Sequence, residues 1–261
     1  MKKYRLLVTA IIAMGVILIG TSNPITNLYK STNLISKGIT QRDDKEKIKK
    51  EEKPLICIDP GHQEKGDSNP EAVAPGSSQT KGRVSSGATG VSTKKPEYIL
   101  NLEASTVLKH ILEGKGYRVI MTRETHNVNI SNAERARLAN EKNADMVVRI
   151  HADSLDNSSK TGASILIPAK ENKYTTNIYE PSNKCAQMVK NQMTNAGIQV
   201  NGIFERGDLT GFNWSTVPVV LIEMGFLSNY NEDQMMSNPE YQRKLMQSVA
   251  DGVEEYLRQE N

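Results

Sequence analysis

From residue 54 onward, apolar positions follow two spacings, one typical of buried strands and one typical of amphipathic helices. Short apolar runs predict strands over residues 55–59, 117–122, 145–151, 162–169 and 217–223. Apolar residues three and four positions apart predict helices over residues 97–116, 131–144, 180–197 and 238–259. This alternation predicts an α/β fold with a mostly parallel sheet that is covered by helices on both faces.

The first 53 residues lack this alternation. Residues 1–20 join a basic start to an apolar stretch, which is typical of an export signal or a membrane anchor. A cleaved signal and a retained anchor both fit, because no A-x-A site follows and the stretch is shorter than the about 20 residues that span a bilayer. Residues 21–53 are polar and rich in lysine, which predicts a solvated tether. We therefore expect an exported protein, either membrane-anchored or secreted, whose residues 54–261 form one domain.

Charge and cysteine content bear on two questions, whether the protein binds nucleic acid and whether it contains a disulfide. The chain has 33 Lys and Arg against 30 Asp and Glu, and the basic excess lies in the leader and tether. No basic face laced with aromatic residues occurs, so nucleic acid is not an expected partner. Cys57 lies in a strand pattern and Cys185 in a helical pattern, which favours two buried thiols, with a disulfide as the alternative in an exported protein.

Residues 63–96 separate the first strand from the first helix and are rich in Gly, Ser, Pro and Lys. A connection of this length is unusual inside a compact domain. It predicts either a binding element or a flexible insertion.

Polar residues stand at the ends of three predicted strands: Asp59 and His62, His151 and Asp153, and Glu223. In open α/β sheets, ligands bind beyond the carboxyl ends of the strands. If these strands are parallel neighbours, His62, His151 and Glu223 meet in one crevice.

A fourth candidate is Glu103, which follows Leu100 by three residues and precedes Val107 by four. This spacing predicts a position on or beside the inward face of the first helix. Two histidines and an inward carboxylate suit zinc with an open fourth position, and a further carboxylate suits a general base. Taken singly, each histidine also fits a hydrogen-bonded residue near a loop, and Glu223 also fits a solvated strand end. Arg149 either pairs with a carboxylate or reaches the crevice.

A set of motifs occurs along the chain in this order: IDPGH, NLE, MTRE, ERARLAN, ADMVVRIHAD, VPVVLIEMGFLSN and YQRKLMQSVADGVEEYL. Over residues 54–258 the chain resembles the zinc-dependent N-acetylmuramoyl-L-alanine amidases of bacterial cell walls. The resemblance implies a twisted six-stranded sheet, one Zn²⁺ per chain, and hydrolysis of the amide that joins muramic acid to L-alanine of the stem peptide. It also implies peptidoglycan as the partner of a monomeric catalytic domain.

Carried over to this chain, the resemblance makes His62, Glu103 and His151 the zinc ligands and Glu223 the catalytic carboxylate. Further candidates for contact with the substrate or the ligands are Asp59, Arg149, Asp153 and Asn229. The chain departs from the family pattern in its longer 63–96 connection and in RIHAD where SIHAN is commoner. Two alternatives stay open, a zinc peptidase that cuts within the stem peptide and a non-catalytic wall-binding module.

Overall fold

The computed structural model describes residues 53–260. Eight strands lie in this range: β1 (Leu55–Pro60), β2 (Asp67–Ala72), β3 (Thr80–Val84), β4 (Arg118–Met121), β5 (Met146–Asp153), β6 (Ala163–Pro168), β7 (Val200–Arg206) and β8 (Val219–Phe226). Six helices lie in the same range: α1 (Glu97–Gly114), α2 (Asn132–Glu141), α3 (Thr176–Asn195), α4 (Thr210–Asn213), α5 (Tyr230–Met236) and α6 (Pro239–Glu260).

Six of the strands form one sheet in the order β4-β1-β5-β8-β6-β7. All neighbours in this sheet are parallel except β6 and β8, which run antiparallel. The predicted α/β class and the mostly parallel six-stranded sheet are therefore confirmed. The order also makes β1, β5 and β8 adjacent, so their carboxyl ends lie side by side at the centre of one sheet edge.

Helices cover both faces of the sheet. Helices α1, α3 and α6 contribute to the larger apolar core, together with one face of the central strands. Residues of α2 and α4 contribute to a smaller core that includes Cys57 and Leu221 from the other strand face. Every residue of β1 and β6 is buried, as expected for strands that are covered on both sides.

The helix ends follow from local chemistry. Helix α2 begins at the predicted Ser131 cap, which forms a reciprocal capping box with Glu134. Helix α3 begins at Thr176, four residues before the predicted start, and contains Pro181. Burial of Ile178, which shares the inward face of α3 with later apolar residues, extends the helix through the proline.

The 63–96 segment is not structureless, because β2 and β3 form an antiparallel hairpin within it. Side chains of the domain hold this hairpin by its backbone: Trp214 Nε1 donates to the carbonyl of Ala72, and Asn213 Nδ2 donates to the carbonyl of Val73. The hairpin is therefore part of the domain surface beside the carboxyl edge of the sheet.

Residues 1–20 and nearly all of the 21–53 tether lie outside the described residues. Among the helices of residues 53–260, none combines the length and the apolar character needed to cross a membrane. Both cysteines are buried and free, which confirms two thiols and excludes the disulfide.

Candidate active site

Three neighbouring strands deliver polar side chains to the same edge of the sheet. His62 follows β1, while His151 and Glu223 occupy paired positions on β5 and β8. The crevice expected from the sequence therefore exists, with Glu223 beside both histidines.

The carboxylate that joins the two histidines is Glu97, the first residue of α1. Its Oε1 lies 3.1 Å from His62 Nε2 and 3.4 Å from His151 Nδ1. One ligand atom from each of these three residues lies within 4.8 Å of the others, which makes the group a candidate metal site in the described part of the chain.

Backbone and side-chain donors fix the Glu97 carboxylate. Its Oε2 accepts from the amide of Ala88 at 2.9 Å, and its Oε1 accepts from Ala152 N and Asn101 Nδ2. Burial alone would raise the pKa of Glu97, but the neighbouring His151 and His62 rings outweigh it and hold this pKa well below its usual range. Gly87 permits the close approach of this loop, since a Cβ there would lie 2.6 Å from Glu97 Oε2.

The prediction that Glu103 belongs to the site is wrong. Glu103 forms an ion pair with Lys95 at 2.6 Å, and its side chain is 41% exposed. The inward face of α1 instead carries this set of buried residues: Glu97, Leu100, Asn101, Ala104, Ser105, Leu108 and Leu112. Extending the apolar spacing backward from Leu100 by three residues would have identified Glu97, whereas Glu103 is out of phase with Ala104 and Leu108.

Contacts on both sides orient the His62 ring. Its Nδ1 lies 3.0 Å from the carbonyl oxygen of Ser85 and 2.9 Å from the Ser85 hydroxyl. His62 has a left-handed backbone with φ 61°, and its carbonyl accepts from Arg135 Nη2 at 3.0 Å. A non-glycine residue in this conformation needs such support from its surroundings.

The His151 ring packs against the backbone of Gly61. A Cβ at position 61 would lie 2.2 Å from His151 Cε1, so only glycine leaves room for the ring. Burial lowers the pKa of His151 to about 4, so the ring is neutral at neutral pH, as a metal ligand must be. Its Nε2 is buried and has no hydrogen-bond partner among the described residues.

Glu223 is the second unusual carboxylate. Its Oε2 is buried without a hydrogen-bond partner in the described part of the protein. Burial raises the pKa of Glu223 well above its usual value, and the nearby charges of Glu97 and Asp153 raise it further. A carboxyl group whose pKa is raised in this way binds a proton more tightly than an exposed one, which suits a proton acceptor.

Asp59 and Arg149 lie beneath the site as an ion pair. Asp59 accepts from Arg149 Nε at 2.7 Å, from Arg135 Nη1 at 2.8 Å and from Thr122 Oγ1 at 2.5 Å. Burial alone would raise the pKa of Asp59, but the Arg135 and Arg149 guanidinium groups hold it well below its usual range. Asp59 therefore supports the loop that carries His62 rather than facing the crevice.

The two remaining candidates have different surroundings. Asp153 lines a pocket next to Glu223. Asn229 instead caps α5, accepting from the amides of Asn231 and Glu232, and donates to the carbonyl of Ser158. Asn229 is therefore a structural cap and lies outside the two pockets beside Glu223.

Two pockets meet at Glu223. The smaller, of about 260 Å³, contains both histidines and Arg149 and is bounded by Lys81 of the hairpin. The larger, of about 480 Å³, extends from Glu223 toward β7 and the 155–161 loop. The two pockets share lining residues and together form a depression that is large enough for an extended ligand.

Comparisons with known proteins agree with this arrangement. The family model described as N-acetylmuramoyl-L-alanine amidase matches residues 56–255. The chain is 26% identical over 211 residues to the N-acetylmuramoyl-L-alanine amidase Rv3717 of Mycobacterium tuberculosis, covering 78% of this chain and 86% of that protein.

Two solved amidase structures share the fold. Ami1 of Mycobacterium smegmatis has a TM-score of 0.72 and 25% identity, covering 80% of this chain and 98% of that chain. The apo form of Ami1 from Mycobacterium abscessus has a TM-score of 0.72 and 27% identity, covering 79% of this chain and 99% of that chain.

Proposed function

This chain belongs to the N-acetylmuramoyl-L-alanine amidase family, and we propose that it acts with one zinc ion held by His62, Glu97 and His151 and with Glu223 as its catalytic carboxylate. It is a hydrolase of the amide bond between N-acetylmuramic acid and L-alanine, and peptidoglycan is its substrate. The observation that carries the zinc proposal is the convergence of three donors of the right chemistry on one point.

The donor set fits zinc in type and in protonation state. Two imidazoles and one carboxylate are the ligands of many catalytic zinc sites, which keep a fourth position open. The Ser85 carbonyl can only accept a hydrogen bond, so it assigns the proton of a neutral His62 to Nδ1 and leaves a lone pair on Nε2. That lone pair then faces Glu97 Oε1 at 3.1 Å, which is unfavourable unless a cation or a proton lies between the two atoms.

Bound zinc would supply a Lewis acid that lowers the pKa of a water and polarises the scissile carbonyl. The protein supplies the proton transfers. Glu223 accepts a proton from the attacking water at its carboxylate and delivers it to the departing amine of L-alanine. Glu223 is the one partly exposed residue of a strand that is otherwise buried, and it lines both pockets, so its carboxyl group can reach a bound substrate.

Location follows from the N-terminal segment. Residues 1–20 serve as an export signal or membrane anchor, and residues 21–53 form a tether that lets a monomeric catalytic domain reach the cell wall. The experiment on this part is fractionation of cells that express the full chain. Recovery in the cytoplasmic fraction would contradict the proposal.

A matched pair of variants tests the active site. Glu97→Gln and Glu103→Gln make the same chemical change on one helix, but only Glu97 contacts the histidines. We expect Glu97→Gln to lose zinc and activity, while Glu103→Gln keeps both. Zinc is measured by elemental analysis, and activity by the new amino groups of L-alanine released from purified peptidoglycan. Stoichiometric zinc in Glu97→Gln would refute the ligand set, and new amino termini within the stem peptide would indicate a peptidase instead.

A further inference from the structure

Arg206 occupies the junction of the two pockets beside Glu223. Three residues line both pockets: Leu166, Arg206 and Glu223. Arg206 is the only cation among these three, so a substrate that spans the depression passes its guanidinium group whichever pocket holds the peptide.

Arg206 lies at the end of edge strand β7 and its side chain is 42% exposed. Its Nε and Nη2 donate to the two carboxylate oxygens of Asp208, at 2.8 Å and 2.9 Å. The hydrogen bonds to Asp208 raise the pKa of Arg206 although burial opposes this, and the nearby charges of Glu223 and Asp153 add to the increase. Arg206 is thus a permanent cation near Glu223. Its guanidinium group is already hydrogen-bonded to the carboxylate of Asp208.

Asp208 is an exchangeable partner. Its side chain is 54% exposed, and it also contacts Lys81 of the hairpin at 3.4 Å. Because Asp208 and Arg206 are both partly exposed, water screens their pair, and a carboxylate on a bound substrate competes with Asp208 for the same two donors of Arg206.

The charge of the substrate is asymmetric about the scissile bond. The lactyl carboxyl of N-acetylmuramic acid is consumed in the scissile amide, so the glycan side is neutral. The stem residue after L-alanine is a D-glutamate linked through its side chain, which leaves its α-carboxyl group free. At about 3.3–3.6 Å per residue, this carboxylate lies within about two residues' reach of the scissile nitrogen.

We propose that Arg206 recognises the free α-carboxylate of the second stem-peptide residue, and that this contact replaces the Asp208 pair when substrate binds. This specificity role rests on the amidase function proposed above. The planar guanidinium fork binds carboxylates through two parallel hydrogen bonds, which an amide in the same position cannot reproduce. The enzyme therefore prefers stem peptides that carry an unmodified D-glutamate over those in which this carboxyl is amidated.

The test compares two substrates that differ only at this carboxyl group: N-acetylmuramoyl-L-alanyl-D-glutamate and N-acetylmuramoyl-L-alanyl-D-isoglutamine. With the full chain loaded with zinc, we expect kcat/KM to favour the acid by about tenfold, the size of one charge-assisted contact. Arg206→Gln should bring the ratio of the two kcat/KM values close to one, whatever its effect on the absolute rate. Arg243→Gln, at an exposed position on α6, is the matched control and should behave as the wild type.

A second variant tests whether the substrate carboxylate replaces Asp208 as the partner of Arg206. Asp208→Asn removes the internal competitor, so it should lower KM for the acid substrate and leave KM for the amide substrate unchanged. Equal kcat/KM for the two substrates in the wild type would overturn the proposal, as would an equal loss on both in Arg206→Gln.

A binding measurement distinguishes the role of Arg206 from the catalytic role proposed for Glu223. In Glu223→Gln, calorimetric titration with the two substrates should show the same preference for the acid without turnover. If the wild type hydrolyses neither compound but Glu223→Gln binds the acid more tightly, the mechanism fails and the Arg206 assignment stands. If both compounds are hydrolysed and bound equally, the Arg206 assignment alone fails.

Discussion

Ser85 holds the Nδ1 atom of His62 from two directions, with its carbonyl oxygen at 3.0 Å and its hydroxyl at 2.9 Å. Ser85 follows the second strand of the hairpin directly, so the insertion between β1 and α1 supplies the residue that orients one of the proposed zinc ligands. Partners of this kind fix the tautomer and the direction of a ligating ring. The hairpin therefore contributes to the chemistry of the site as well as to its wall.

Replacing Ser85 by alanine tests this role. Ser85→Ala removes the hydroxyl and leaves the carbonyl, so we expect zinc affinity to fall by about tenfold, at the lower end of the range for partners of metal ligands. The measurement is a competitive zinc titration against a chromophoric chelator. Ser86→Ala, at the adjacent exposed position, is the control and should keep the wild-type affinity. Equal affinities in the two variants would show that the Ser85 hydroxyl does not contribute to zinc binding.

Glu223→Gln should lose turnover by about 10²–10⁴-fold while keeping zinc, because it removes the proton acceptor but not a ligand. Zinc content and turnover are measured on the same preparation. Loss of zinc would make Glu223 a ligand, and activity within a few-fold of the wild type would make it a passive strand end.

Glu223→Gln also tests how the stability of the metal-free protein depends on pH. The folded-state pKa of Glu223 is raised, so in metal-free protein this group lowers stability progressively as pH rises above about 4.3, its unfolded value. Metal-free Glu223→Gln should therefore match or exceed the thermal stability of metal-free wild type at pH 8. Calorimetry that shows a large loss of stability at pH 8 would contradict the buried position of this charge.

Asp59→Asn should destabilise the domain by about 3–5 kcal/mol, because it leaves the buried guanidinium groups of Arg135 and Arg149 without their counter-charge. The folded pKa of Asp59 is lowered, so its contribution is complete above about pH 4 and is lost as pH falls further. Urea unfolding of wild type and variant should show a constant difference from pH 7 to about pH 5 and a smaller one below about pH 4. The control is Asp251→Asn, which breaks a partly exposed pair with Lys115 and should cost less than about 1 kcal/mol.

A fragment of residues 54–261 should fold and hydrolyse soluble muropeptides at the rate of the full chain, because residues 1–53 lack the apolar periodicity of a core. Circular dichroism and turnover on the two muramyl dipeptides check this prediction. A fragment that is unfolded, or folded and inactive with zinc present, would show that the N-terminal segment contributes to the domain.

The sequence predicts the parts of this fold in which local pattern and burial agree. Apolar runs identify β1, β5, β6 and β8, and the Ser131 capping box identifies the start of α2. The strand-end positions of His62, His151 and Glu223 follow from the same patterns.

The sequence does not reveal elements that depend on distant contacts. Strand β7 and the hairpin are polar and largely exposed, and the hairpin is held by Asn213 and Trp214, far along the chain. Glu97 and Glu103 both lie three residues from Leu100, one before it and one after it. The apolar spacing around Leu100 alone therefore does not decide which of the two glutamates faces inward. The burial of Glu97 against Ala152 becomes visible only when α1 is placed beside β5.

The two unpaired thiols have a consequence for how this protein matures. Cys57 and Cys185 are the only cysteines of the chain, and both lie in the apolar core, where burial raises the pKa of Cys57 to about 12. Thiols of this kind stay protonated and react slowly with oxidants. Folding of the domain therefore needs no oxidase or disulfide isomerase, and the domain can be produced in a reducing cytosol without loss of a native disulfide.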